Sequence, residues 1–124
     1  MSDFEKFHLD LEAVNEGVKM PLLDSDNELT EEWILVRSKY STIARKAMDL
    51  MKREMRERHA AGIFDNYDLM LTAQVSLVAN WSNDQECTPD NVRDFLMNAP
   101  QEAERLDLIA GTTNLFFRNS AEDS

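Results

Sequence analysis

The apolar residues of this chain change their spacing at Ser41, and that change limits the fold more than any other feature of the sequence. Downstream of it, Tyr40, Ile43, Ala44, Ala47, Met48, Met51 and Met55 recur at steps of three and four, the stripe of an amphipathic helix. Ser41 suits the N-cap, because its hydroxyl can accept a bond from a first-turn amide that has no helical partner. The helix should end near His59–Gly62, where glycine supplies the left-handed closing position. Upstream the apolar runs are short. Phe7, Leu9 and Leu11 alternate with His8 and Asp10 as in a half-buried strand, although Leu9–Asn15 fits one helical turn equally well. Val18–Leu23 is a second strand candidate, placed at a sheet edge by Pro21, which cannot donate to a ladder. Asp24-Ser25-Asp26-Asn27 is turn chemistry, and Trp33–Val36 is a third strand-forming run.

After Gly62 the helical period continues. Tyr67, Met70, Leu71, Gln74, Val75, Val78 and Trp81 form the stripe of a second helix, opened by Asp65 or Asn66. Thr88-Pro89-Asp90 combines a capping hydroxyl, a proline where no amide is needed and an acid for the helix dipole, so a short third helix starts there with Val92, Phe95 and Leu96 inward. Asn98-Ala99-Pro100 repeats the punctuation. A fourth helix then carries Ala103, Leu106, Ile109, Ala110, Thr113, Phe116 and Phe117, with Gly111 inside it at a cost of about 1 kcal/mol against alanine. The fold class expected is α+β: a small N-terminal β hairpin or sheet followed by about four helices, mainly helical. One domain is expected, with residues 1–38 an acidic segment of short strands, 39–118 the helical part and 119–124 a disordered polar tail.

Charge narrows the function. The chain has 124 residues with 13 Lys and Arg against 24 Asp and Glu, a net charge of −11. That balance argues against nucleic acid and against an anionic membrane surface as ligands. No apolar run approaches the ~18 residues of a membrane span, and the first residues lack the pattern of a secretory signal. The acidity is uneven. Residues 33–60 hold eight bases and three acids, whereas residues 1–32 hold ten acids and two bases. The plainer reading of the basic middle is a solvated helix face paired with the acidic flanks of the same chain; the sharper one is a stripe for an acidic partner.

Reaction chemistry is hard to find. Three glycines cannot build a phosphate loop. Cys87 lies in an acidic polar loop whose Asp84 and Glu86 disfavour a thiolate, and His8 and His59 stand alone. Asp24, Asp26 and Glu28 lack the glycine and the closing glutamate of a calcium loop, where the chain has Leu29 and Leu35. No enzyme, cofactor or metal site is expected. Binding remains. Seven methionines include Met48, Met51, Met55 and Met70 on or beside helical stripes, where methionine is either core filler or a surface that repacks around varied apolar partners. Phe116 and Phe117 are adjacent on one helix and cannot both face one core squarely. The expected partner-binding residues are therefore Met48, Met51, Met55, Phe116 and Phe117.

An ordered set of phrases resembles the tail assembly chaperones of long-tailed bacteriophages over most of the chain, from Phe7 to Phe117. An acidic opening leads to Asn15-Glu16-Gly17-Val18-Lys19-Met20-Pro21-Leu22-Leu23-Asp24, then Trp33-Ile34-Leu35-Val36 and a Ser-started basic helix over Ser41–Arg58. The second half matches better, with Val78-Ala79-Asn80-Trp81, a polar loop, Cys87-Thr88-Pro89-Asp90-Asn91-Val92, Leu96, Ala99-Pro100 and Asn114-Leu115-Phe116-Phe117. The chain departs from the family pattern at Ser38-Lys39-Tyr40-Ser41, where Gly-x-Asp-Ser is common.

The resemblance implies a non-enzymatic protein of the host cell cytoplasm. Such a protein coats the long apolar tape measure protein, recruits tail tube subunits and is absent from the finished virion. Self-association stays open. The alternative is an acidic phage-encoded inhibitor that presents carboxylates to a nucleic-acid-binding host factor.

Overall fold

A computed structural model describes residues 4, 5 and 8–116. The fold is α+β: a three-stranded antiparallel sheet followed by helices. Its elements are α1 (Leu11–Glu16), β1 (Val18–Leu23), β2 (Leu29–Val36), α2 (Thr42–Ala60), α3 (Tyr67–Val75), β3 (Val78–Trp81), α4 (Pro89–Asn98) and α5 (Pro100–Ala110), with a 3-10 turn over Thr113–Phe116.

Among the described residues, the alternation expected over Phe7–Leu11 leaves a single β-bridge position at Leu9 and no ladder strand. Asp10 instead caps α1, its carboxylate accepting the amides of Glu12 at 3.0 Å and Ala13 at 3.3 Å, which is the helical alternative for that stretch. Phe7 lies outside the described residues. Gly17 then turns the chain into β1 at φ 102°, and a Cβ there would meet the Val36 carbonyl oxygen at 3.0 Å, so no other residue fits without a shift.

The sheet order is β1-β2-β3, which leaves β1 at an edge and gives Pro21 the place its missing amide requires. The hairpin turn is closed by Asp24, whose carboxylate accepts the amides of Asp26 and Glu28 while Asn27 takes φ 62°. Met20 pairs with Ile34, and Ile34 with Trp81. These residues and Val36 are buried on one face of the sheet, where Leu71, Leu77, Val92, Leu96 and Leu106 from the helices complete the core.

Two helical expectations are corrected. The helix expected to run from Tyr67 to Trp81 stops at Val75, and Val78–Trp81 crosses over to become the third strand. The spacing of Val75, Val78 and Trp81 fits a helix locally, but β2 would then have an unpaired edge in the core. Pairing Val36 with Val78 and Ile34 with Trp81 satisfies that backbone. Arg37 fixes the switch: its guanidinium donates to the carbonyls of Ser76 at 3.0 Å and Val78 at 2.9 Å, on either side of the break.

The last helix also ends early. Gly111 is its C-cap rather than an interior residue, and the chain turns through Thr112 into the 3-10 turn. Phe116 is 0% exposed, and its carbonyl accepts the Asp10 amide at 2.7 Å. The expectation that Phe116 meets a partner is therefore wrong, because this long-range bond folds the turn back onto α1. Phe117 and residues 119–124 lie outside the described residues.

Candidate functional site

Helix α2 is the long element of the molecule and the least buried. Its 19 residues span roughly 28 Å at 1.5 Å each. The Ser41 hydroxyl accepts the Ala44 amide at 3.2 Å, as the sequence suggests, and the Asn15 side chain accepts the Thr42 amide at 3.1 Å. Ala44 is the sole fully buried residue of the helix. Met48, Met51 and Met55 are half-buried, while Ile43 and Leu50 are 50% and 44% exposed. The helix thus lies on the body with a thin apolar strip, and the rest of its surface faces water.

The main packing neighbour of α2 is α3, which returns along it after the turn at Gly62 (φ 80°). Arg58 pins the two helices with a bidentate pair to Asp68, at 2.7 and 2.8 Å, and donates to the Asp65 carbonyl at 3.1 Å. Hydrogen bonds from this guanidinium hold the Asp68 carboxyl down at about 2. Near the turn, His59 meets Phe64 edge to face at 5.0 Å, and Ile63, Phe64, Tyr67 and Met70 are all exposed.

Met48 and Met51 converge with Met70 on a cleft of about 150 Å³ between α2 and α3, floored by Ala73 and Leu77. Lys39 and Asp107, an ion pair at 3.3 Å, line it as well. The volume is below the roughly 300–1,000 Å³ of small-molecule sites. Met55 is not part of this cleft; it lines a separate, shallower depression with Arg56, His59 and Ala60. The structure therefore brings together Met48 and Met51 of the expected set, adds Met70, separates Met55 and removes Phe116.

The basic character of α2 finds little compensation at home. Among the described residues, the ion pairs of the basic segment are Lys39–Asp107 and Arg58–Asp68. Arg45, Lys46, Lys52, Arg53 and Arg56 form none, and Arg45 lies instead over the Tyr40 ring at 5.8 Å. The plainer reading, that the basic stripe pairs with the acidic flanks of the same chain, is thus corrected for these five. The acidic flanks lie on other elements, chiefly the β1–β2 hairpin and α5.

A second groove, of about 370 Å³, runs along the other side of α2, with Ile43 and Ala47 on one wall and Val75, Cys87 and Val92 on the other. Sequence reasoning missed it, because it depends on the crossover strand. Burial pushes the Cys87 thiol up, against a smaller opposite pull from Arg37. Desolvation likewise lowers Arg37 below the usual guanidinium value. A third depression, about 330 Å³, opens beside Trp33, Trp81 and Phe95 with Glu32 and Asp84 at its polar side. No group of three or more His, Cys, Asp or Glu able to hold a metal occurs among the described residues, and none of their helices is long and apolar enough to cross a membrane.

No protein family, curated protein or solved structure matches the chain.

Proposed function

We propose that this chain is a phage tail assembly chaperone, a non-catalytic protein that shelters apolar helical segments of a tape measure protein in the host cytoplasm and passes them to tail tube subunits. The observation that supports the reading is the methionine-lined cleft between α2 and α3, beside which Met70 is 52% exposed. Unbranched thioether side chains adapt to apolar partners of differing shape, which a client with many non-identical helical segments requires. An acidic exterior adds solubility to a complex whose client is poorly soluble. The ordered sequence phrases that resemble the family support this choice of client, and the cleft supports this way of holding it.

The test is co-expression with a tape measure fragment, followed by sedimentation. The wild-type chain keeps the fragment in the supernatant and retains it at high salt, since apolar contacts are not screened. Replacing Met48 and Met51 together by serine releases the fragment with the fold intact. An acidic inhibitor behaves differently: it leaves the fragment insoluble and binds its target through carboxylates, with affinity that collapses as salt rises.

A further inference from the structure

The outer face of α2 and the groove beside it combine features that the chaperone reading does not use. Ile43, Lys46, Leu50 and Arg53 follow each other at steps of three and four, so they form one ridge along the helix, and all four are exposed. Ile43 is shared between this ridge and the 370 Å³ groove, which continues the apolar surface inward to Val75 and Val92. Twenty-four acids are spread over the chain, yet no carboxylate is found among the described residues that line the groove, and Arg37 is its charged member. Among the described residues, Lys46 and Arg53 on the ridge have no ion-pair partner.

We infer that this face is a docking site for an acidic amphipathic helix of a partner protein. A straight ridge with three- and four-residue steps is the shape that a second helix packs against. The apolar edge of the partner enters the groove beside Ile43, and its carboxylates lie along Lys46 and Arg53. Asp49, one turn from both Lys46 and Arg53, and Glu54 and Glu57 beyond Arg53 repel acid on this helix, so the partner's carboxylates belong at the positions opposite Lys46 and Arg53 themselves. A second copy docking through its own α2 would set like charges against each other. Duplex nucleic acid would gain these cations but meet the carboxylates of the rest of the chain. The inference stands apart from the chaperone reading, because Met48, Met51 and Met70 line a different cleft.

The probe is a labelled 20-residue helical peptide with leucines on one face and glutamates beside them, titrated into the full chain and followed by anisotropy. The peptide is expected to bind and to lose about tenfold in affinity as salt rises from roughly 50 to 300 mM. Lys46→Glu with Arg53→Glu should weaken it by about tenfold or more, and so should Ile43→Ser with Leu50→Ser; circular dichroism confirms that these exposed substitutions leave the helix content unchanged. Bound peptide should also slow alkylation of Cys87 in the groove wall. Met48→Ser with Met51→Ser should leave the peptide affinity unchanged, which separates this surface from the client cleft. The inference is overturned if the peptide does not bind, if a lysine-for-glutamate peptide binds equally, if the Lys46 and Arg53 reversals have no effect, or if duplex DNA competes as well as the peptide itself.

Discussion

Arg105 follows Glu102 by one turn of α5, and the two side chains grip the β1 backbone where its register shifts. Glu102 accepts the Leu23 amide at 3.2 Å, and Arg105 donates to the Pro21 carbonyl at 2.9 Å. The side chains also pair with each other. Glu102 is 3% exposed, and among the described residues its buried carboxylate meets the Leu23 amide and the Arg105 guanidinium. The clamp fastens the edge strand to the helical layer at the point where the ladder with β2 is irregular.

Glu102→Ala leaves the Leu23 amide and Arg105 without their partner. Arg105 is partly exposed and recovers some hydration, so the expected loss is about 2 kcal/mol rather than the larger cost of a fully enclosed pair. Glu102→Gln keeps an acceptor for the amide and should lose about 1 kcal/mol. Urea denaturation measures both. If Glu102→Ala unfolds at the wild-type midpoint, the clamp contributes nothing.

Phe116 gives a sharper contrast. Its ring is among the largest fully buried side chains, and Phe116→Ala should cost about 3 kcal/mol or more through lost burial and the cavity left behind. Met55→Ser, at a half-buried position on α2, should cost under about 1 kcal/mol. Thermal unfolding of the two variants reads this directly. Equal losses would mean that α2 is packed as tightly as the 3-10 turn.

These two residues also show where sequence stops being informative. Helix α2 was legible from end to end because its signals are local: a serine cap, a stripe at helical spacing and a glycine beyond. Pro21 placed β1 at an edge for the same reason, since a missing amide is a property of one residue. Phe116 reads as a contact in the sequence because its burial depends on the bond to Asp10, more than a hundred positions away. Val78 and Trp81 read as helical because the same spacing serves a helix stripe and, with a register shift at Leu35 and Val36, a strand. Within the candidate site, methionine spacing located Met48 and Met51, but only the return of α3 shows that Met70 joins them and that Met55 does not. The unpaired state of Lys46 and Arg53 is likewise a fact of tertiary arrangement, invisible in a net charge.

The Arg58–Asp68 pair sets the acid limit of the α2–α3 hairpin. Held at about 2 by the guanidinium, Asp68 titrates in the folded chain below its ordinary value near 4. A carboxylate with a lowered folded-state value contributes its stabilisation fully above the unfolded value and loses it as pH falls through the folded one. The pin should therefore hold unchanged from neutrality to about pH 4 and be lost between about pH 4 and pH 2. Both side chains are solvent-accessible, so the effect is local: the loss should register as altered environments at Tyr67 and Met70 rather than as global unfolding. A carbon-detected NMR titration of Asp68, followed together with the Met70 methyl, tests this. Asp68→Asn should abolish the low-pH step at Met70, and a step that persists in that variant would assign it to another carboxylate.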